Sequence, residues 1–380
     1  MTGSQALVAH GAGDVSVEPR PAAALEPGQV RLAVAYGGIC GSDLSYYRYG
    51  AVGDFRVREP LVLGHEVSGV VAELGPDAGE RALPVGARVT VHPATVDGTC
   101  PMCLSGHPNR CVRARYLGSA ASMPHTQGGF RESLVVRADQ LVALPAALGL
   151  RRATLAEPLG VALHGLRRGV AGLVASGAAV PVPPYDPAWW AGGSALAGLE
   201  VCVVGAGPIG ALCVAAARAA GANVSATDLS AHALSVATAL GAARTLDVTG
   251  LAPADIAARL HADGPPPDVV VESSGSAPGL VAALHLARRG GTVVMLGLPP
   301  AGDHGVPASL VPTRELTLLG AFRFDDEIAL AVELLAAGLR VDAVLTHELP
   351  LADAVAALDL AADASVSSKV LLRMPGAQTD

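Results

Sequence analysis

At 380 residues the chain is long enough for two domains, each with its own core. With 51% hydrophobic and only 16% charged residues it excludes a disordered chain and fits a buried, Ala/Gly-rich α/β enzyme. The net charge is −8 and the arginines are scattered, so neither nucleic acid nor a membrane surface is an expected partner. Residues 1–5 lack the basic and apolar regions of a signal peptide. The longest apolar stretch, near 169–182, is short, broken by glycine and followed by Pro183-Pro184. No membrane span is expected, and the expected location is the cytoplasm.

The first 160 residues read as β-rich, with short Val/Leu runs at 30–35, 67–71, 88–92 and 133–136 between Gly and Pro turns. Two groups of metal-ligand side chains fall in this region. Cys40 opens Cys40-Gly41-Ser42-Asp43, and His65 follows 25 residues later in Gly64-His65-Glu66. Glu157 opens Glu157-Pro158-Leu159. A thiolate, an imidazole and a carboxylate are the donors of a catalytic zinc, which keeps a fourth position open. Position 69 is glycine, which rules out a helical His-Glu-x-x-His protease site. Taken singly, Cys40 reads as a buried thiol, His65 as a core histidine and Glu157 as a helix cap; together, at these spacings, they read as a site. Asp43 is placed to orient the imidazole of His65, or else serves as a turn residue. Glu66 stays near the metal and aids ligand exchange, or is a surface charge.

The second group is Asp97, Cys100, Cys103 and Cys111. Cysteines packed this densely in a reducing compartment point to a structural zinc, with a disulfide or an empty site as the alternatives.

The segment 172–198 interrupts the pattern. It is rich in Ala, Gly and Pro and holds both tryptophans, Trp189 and Trp190, beside Tyr185. It reads as a long ordered loop packed on its own body, on a partner subunit or over a pocket.

From Glu200 onward, apolar strands alternate with glycine turns and Ala-rich helices, which predicts a doubly wound parallel sheet. Strands are expected at 201–204, 224–227, 269–271 and 292–296, and helices at 211–220 and 231–240. Gly205-Ala206-Gly207-Pro208-Ile209-Gly210 lies between the first strand and its helix, the required context for a dinucleotide fingerprint. Asp228 ends the second strand, 18 residues after Gly210, where a carboxylate accepts from the adenosine ribose and repels a 2′-phosphate. Leu229 and Ser230 supply no arginine in its stead, so NAD is expected over NADP. A helix at 327–337 and an end strand at 369–372 close the chain. Lys369 is the only lysine, and position 365 is serine, so a Tyr-x-x-x-Lys catalytic pair is excluded.

These residues resemble the zinc-dependent medium-chain dehydrogenases over nearly the whole chain. Cys40-Gly-Ser-Asp-Leu-Ser-Tyr-Tyr, Gly64-His-Glu and Glu157-Pro-Leu are similar to the sorbitol and L-idonate 5-dehydrogenase branch, and the runs 104–111 and 124–130 lean towards the latter. The resemblance implies a GroES-like β-rich catalytic domain over 1–164 and 323–380, and a Rossmann domain over 165–322. It places Cys40, His65 and Glu157 around the catalytic zinc, the last directly or through water. Ser42 becomes the hydroxyl that passes the proton, Arg323 the group that contacts the polar substrate, and Tyr46 and Tyr116 residues along the pocket. Gly205, Gly207, Pro208, Ile209, Gly210, Asp228 and Leu229 would hold NAD. A homodimer or homotetramer is implied by the same analogy. The expected reaction moves a hydride between a secondary alcohol of a polyol or sugar acid and NAD. Rival readings are a dehydrogenase of a cyclitol or amino sugar and an NAD-binding protein without turnover. Three departures stand out: Ser45 replaces a histidine of the proton relay, Asp97 replaces a cysteine, and the 172–198 segment is longer than the family's connection by about 20 residues.

Overall fold

A computed structural model of the protein describes residues 4–78, 83–178, 180 and 186–377. Two compact units account for the described chain. The first comprises Met1–Glu157, Leu345–Asp363 and Lys369–Asp380, and the second Pro158–Val344 and Ala364–Ser368.

The first unit is built on a seven-stranded sheet whose centre is the strand Gln29–Gly38. Alternating apolar residues at Val30, Leu32 and Val34 face a shared core with Val67, Val71, Phe130 and Leu372. The strand pairs antiparallel with Glu66–Leu74, with Ser133–Arg137 and, near its end, with Lys369–Arg373. Register decides what meets what. Gly38 faces Glu66 on one side and Leu371 on the other. Cys40, His65 and Lys369, all within two residues of these partners, are thereby gathered at one end of the sheet. Gly38 is required there, since an added Cβ would lie 2.3 Å from a Glu66 carboxylate oxygen. A smaller antiparallel sheet joins Ser4–Gly11 to Asp14–Arg20 and Leu61–Val62.

The second unit holds a six-stranded parallel sheet. Its order is Arg244–Asp247, Asn223–Asp228, Glu200–Val204, Val269–Glu272, Thr292–Met295 and Thr317–Gly320. In chain order this is 3-2-1-4-5-6, the doubly wound arrangement whose switch point binds dinucleotides. Near-continuous Val runs suit strands covered on both faces.

The segment 172–198 is ordered where it is described; residues 181–185, with Tyr185, lie outside the described residues. Asp186 caps a short helix, Pro187–Ala191, by accepting from the Ala188 N–H. Trp190 is buried at 1% exposure, with Trp189 edge-on to it at 6.4 Å. The tryptophans therefore pack on their own unit, against the helices Pro208–Ala219 and Glu327–Ala336. That last helix, expected with the zinc-side domain, belongs to the second unit. Its buried Glu327 meets His164 Nδ1 at 2.9 Å, with Arg167 beside it at 3.9 Å, which ties it to the helix Ala156–Ala175.

Candidate active site

Cys40 ends the turn after the central strand and caps the helix Gly41–Tyr49. Its sulfur, a His65 ring nitrogen and a Glu66 carboxylate oxygen all lie within 4.8 Å of one another. His65 and Glu66 are buried, and Cys40 is half-buried. Asp43 is fully buried, and its two carboxylate oxygens accept from the Cys40 N–H at 2.9 Å and the Gly64 N–H at 3.1 Å. It thus braces the backbone on both sides of the cluster, a turn role that sequence reasoning set beside orienting the imidazole, and its charge also acts on His65. Gly64 sits at φ +93° against the Phe130 ring, a position with no room for a side chain.

Glu157 is buried at the start of a helix, and Tyr116 donates to its Oε1 at 2.5 Å. The Tyr116 ring stands edge-on to His65 at 5.5 Å. Burial pushes the Glu157 carboxyl up, against the attraction of His65. Among the described residues the carboxylate within ligand reach of both Cys40 and His65 is Glu66, and Glu157 is held by Tyr116.

Glu66 is tied to a partner that sequence reasoning passed over. Lys369 Nζ lies 2.8 Å from its Oε1 and 2.7 Å from its Oε2, and donates to the Ile39 carbonyl at 3.0 Å. Both side chains are buried. A lysine is almost never fully buried unless paired, so the chain's only lysine in an apolar strand was the available signal. Burial opposes charge on Lys369, but Glu66, Cys40 and Glu157 raise its pKa.

The surroundings favour positive charge. Burial disfavours the His65 cation, yet the Cys40 sulfur, by charge and by hydrogen bond, then Asp43 and Glu157, push the ring up to about 10. A divalent cation between thiol and imidazole would answer that negative field.

The second group also assembles. Asp97, Cys100, Cys103 and Cys111 bring four ligand atoms within 4.8 Å. Asp97 Oδ1 accepts from the N–H groups of Thr99 and Cys100 at 2.8 and 2.9 Å, and Arg113 Nε lies 2.5 Å from its Oδ2. All six cysteines are free thiols, so the disulfide alternative is not realised. Burial and the neighbouring thiols push Cys103 up to about 12. Those backbone hydrogen bonds, first of all, hold the Asp97 carboxyl well below its usual range.

In the second unit, Gly205 takes φ +87° and Gly210 packs so closely that a Cβ would fall 1.9 Å from the Gly205 carbonyl. Gly207 caps the helix Pro208–Ala219, and a Cβ there would meet nothing within 4 Å. That open approach to a helix N-terminus suits a pyrophosphate. Asp228 accepts from Ala206 N–H at 2.6 Å and Ser230 N–H at 2.8 Å, which fixes it beside the glycine turn. Leu229 is 68% exposed beyond it.

Known proteins match both units. Residues 26–146 match the alcohol dehydrogenase GroES-like domain, and residues 208–337 the zinc-binding dehydrogenase family. The sorbitol dehydrogenase of Rattus norvegicus is 32% identical over 358 residues, covering 93% of this chain and 92% of that protein. A probable D-xylulose reductase A of Aspergillus clavatus is 34% identical over 343 residues, covering 87% and 86%. The crystal structure of L-idonate 5-dehydrogenase from Escherichia coli superposes with a TM-score of 0.82 at 32% identity, covering 97% of this chain and 98% of that one. The chain belongs to the zinc-dependent medium-chain dehydrogenases.

This dehydrogenase is a zinc-dependent oxidoreductase of CH–OH groups with a nicotinamide dinucleotide as cofactor. Its fold is the expected GroES-like unit with a doubly wound parallel dinucleotide-binding unit. Of the expected substrate contacts, Tyr116 lies at the cluster, whereas Tyr46 does not face an open site. Tyr46 is 2% exposed in the core, where its hydroxyl accepts from the Ala120 N–H at 2.9 Å and is thereby tied to the fold. Ser42 is half-buried on the first turn after Cys40. Ser45 turns its hydroxyl back to the Gly41 carbonyl at 3.0 Å, an ordinary helix-surface bond. Arg323 adopts φ +56° in the loop ahead of the helix Glu327–Ala336, with its guanidinium 4.7 Å from the Phe322 ring. Among the described residues no helix is long and apolar enough to cross a membrane.

Proposed function

We propose that this dehydrogenase oxidises a secondary alcohol of a polyol or sugar acid, reversibly, with NAD as hydride acceptor. The observation that carries the reading is the convergence of the Cys40 sulfur, the His65 ring and a buried carboxylate in one cluster, within a chain whose relatives include a sorbitol dehydrogenase and an L-idonate 5-dehydrogenase. Zinc, when bound, supplies a Lewis acid that polarises the alcohol oxygen at neutral pH. Cys40 and His65 hold it. Glu157, braced by Tyr116, is the third protein ligand, directly or through water. Glu66, anchored by Lys369, stands ready to exchange with it. Ser42 takes the alcohol proton and passes it towards solvent. Arg323 anchors the hydroxyl or carboxylate end of the substrate. Gly205, Gly207, Pro208, Ile209 and Gly210 form the pyrophosphate turn, and Asp228 with Leu229 frames the adenosine ribose. Asp97, Cys100, Cys103 and Cys111 hold a second, structural zinc. The enzyme acts in the cytoplasm as a homodimer or homotetramer.

The test is NAD reduction measured over sorbitol, xylitol, L-idonate, gluconate, inositols and amino cyclitols, with NADP in parallel. Turnover concentrated on acyclic polyols or sugar acids with NAD is expected. Turnover on cyclitols alone, or a preference for NADP, would contradict the reading.

A further inference from the structure

A cavity of ≈ 340 Å³ opens in the first unit between the end of the strand Asp14–Arg20 and the loop that precedes Ser133–Arg137. Its polar lining is Arg20, Arg131, Gln127 and Glu59, with walls from Pro60 and Val62. All of these residues lie within one compact unit, outside the Cys40 cluster and the thiol lobe formed by Asp97, Cys100, Cys103 and Cys111.

The polar groups divide into spent and unspent. Gln127 accepts from the Val62 N–H at 2.8 Å and donates to the Pro60 carbonyl at 3.2 Å, so its amide is committed to the wall. The single acid, Glu59, accepts from the His125 N–H at 2.6 Å. Arg131 is different. Its Nε is buried without a partner, and Nη2 reaches only the Pro21 carbonyl, at 3.5 Å. No carboxylate among the described residues lies within ion-pair distance of it. Arg20 is more lightly held than Arg31, its buried Nε making no directed hydrogen bond and lying 3.4 Å from a Glu18 carboxylate oxygen. Arg31 is spent on Glu73 at 2.8 Å. Burial, then Arg20 and Arg31, lower the pKa of Arg131, the reverse of what an ion pair does.

A guanidinium stays charged in a protein, so partial burial without an acid leaves its desolvation uncompensated. In a chain of net charge −8, with acids to spare, an arginine left without one on this cavity, beside a second that is only lightly held, is not explained by the fold. We propose that this cavity is a binding site for a small oxyanion, a phosphate or a carboxylate, gripped by Arg131 and Arg20. Planar guanidinium forks match both groups through paired N–H···O bonds. The cavity volume lies at the small end of the range of ligand pockets, which suits a compact anion.

The experiment titrates the full-length enzyme, saturated with NADH so that its dinucleotide site is filled, with inorganic phosphate and separately with succinate. Ionic strength is held constant with sodium chloride, and heat and melting temperature are read. Saturable binding below about 10 mM is expected for at least one anion. Arg131→Gln weakens it at least about tenfold and Arg20→Gln weakens it less. Without anion, Arg131→Gln melts at or above the wild-type temperature, because a repelled, unpaired charge has been removed. Phosphate alone binding assigns a phosphate site, and succinate alone a carboxylate site. The proposal is overturned by the absence of saturable binding, by binding that survives Arg131→Gln, or by an Arg131→Gln protein that melts lower than wild type without anion.

Discussion

The two ligand clusters of this chain use the same chemistry and are built in opposite ways. The cluster of Cys40, His65 and Glu66 sits at the end of a seven-stranded sheet, and its members come from segments that strand register aligns. Asp97, Cys100, Cys103 and Cys111 come from one short stretch of loop, half-buried and buried in alternation, bonded chiefly to each other and to their own backbone. The first arrangement is braced from outside, by Asp43 on two backbone N–H groups and by Lys369 on Glu66. The second brings four possible ligand atoms together, and on the proposed reading that closed set is how a structural zinc is held. On the proposed reading, rigid support around an incomplete ligand set belongs to the reactive site and self-sufficiency to the structural one.

The largest break in this comparison comes from Cys40→Ser or His65→Ala. Each should release one zinc, leave the lobe's zinc in place and lower kcat/KM by on the order of 10³–10⁴-fold. Zinc content and turnover measured on the same preparation would check it. Full turnover with one zinc lost would assign catalysis elsewhere. Next is Lys369→Met, which strands the buried Glu66 carboxylate and should cost about 3–5 kcal/mol in chemical denaturation. Adding Glu66→Gln should recover most of that loss, and a double variant no more stable than the single one would show that the two side chains do not act as a pair.

How much of this the sequence disclosed depended on distance along the chain. The glycine turn, its strand and Asp228 were legible because the fingerprint is local and each glycine has its own steric reason, as at Gly210. Cys40 and His65 were legible through spacing and residue type. Lys369 was not, since its partner lies 303 residues away and meets it only through pairing to the central strand. Tyr46 was misplaced for a related reason: a tyrosine on a short helix looks the same whether its hydroxyl faces substrate or the Ala120 N–H. The helix Glu327–Ala336 was read correctly as a helix, but its allegiance is set by the buried His164–Glu327 contact, which no local pattern reveals.

Smaller effects sharpen the contrast from the lobe's side. Cys103→Ser should remove the lobe's zinc, reported by a thiol- or pyridylazo-linked metal assay, while kcat stays at wild-type magnitude. A collapse of kcat with the catalytic zinc still bound would tie the lobe to the reaction. Asp97→Cys should bind zinc about tenfold more tightly in the lobe, or about 1.4 kcal/mol, by replacing a carboxylate with a thiolate. Unchanged affinity in competition with a chelator would show that Asp97 is no ligand.

The most direct measurement follows zinc content and turnover together while the wild-type enzyme is dialysed against a chelator and then resupplied with zinc. Activity should fall in step with the loss of one zinc per chain, return when it is restored, and be unrecoverable in Cys40→Ser. Turnover that persists after both zinc ions are gone would contradict the account.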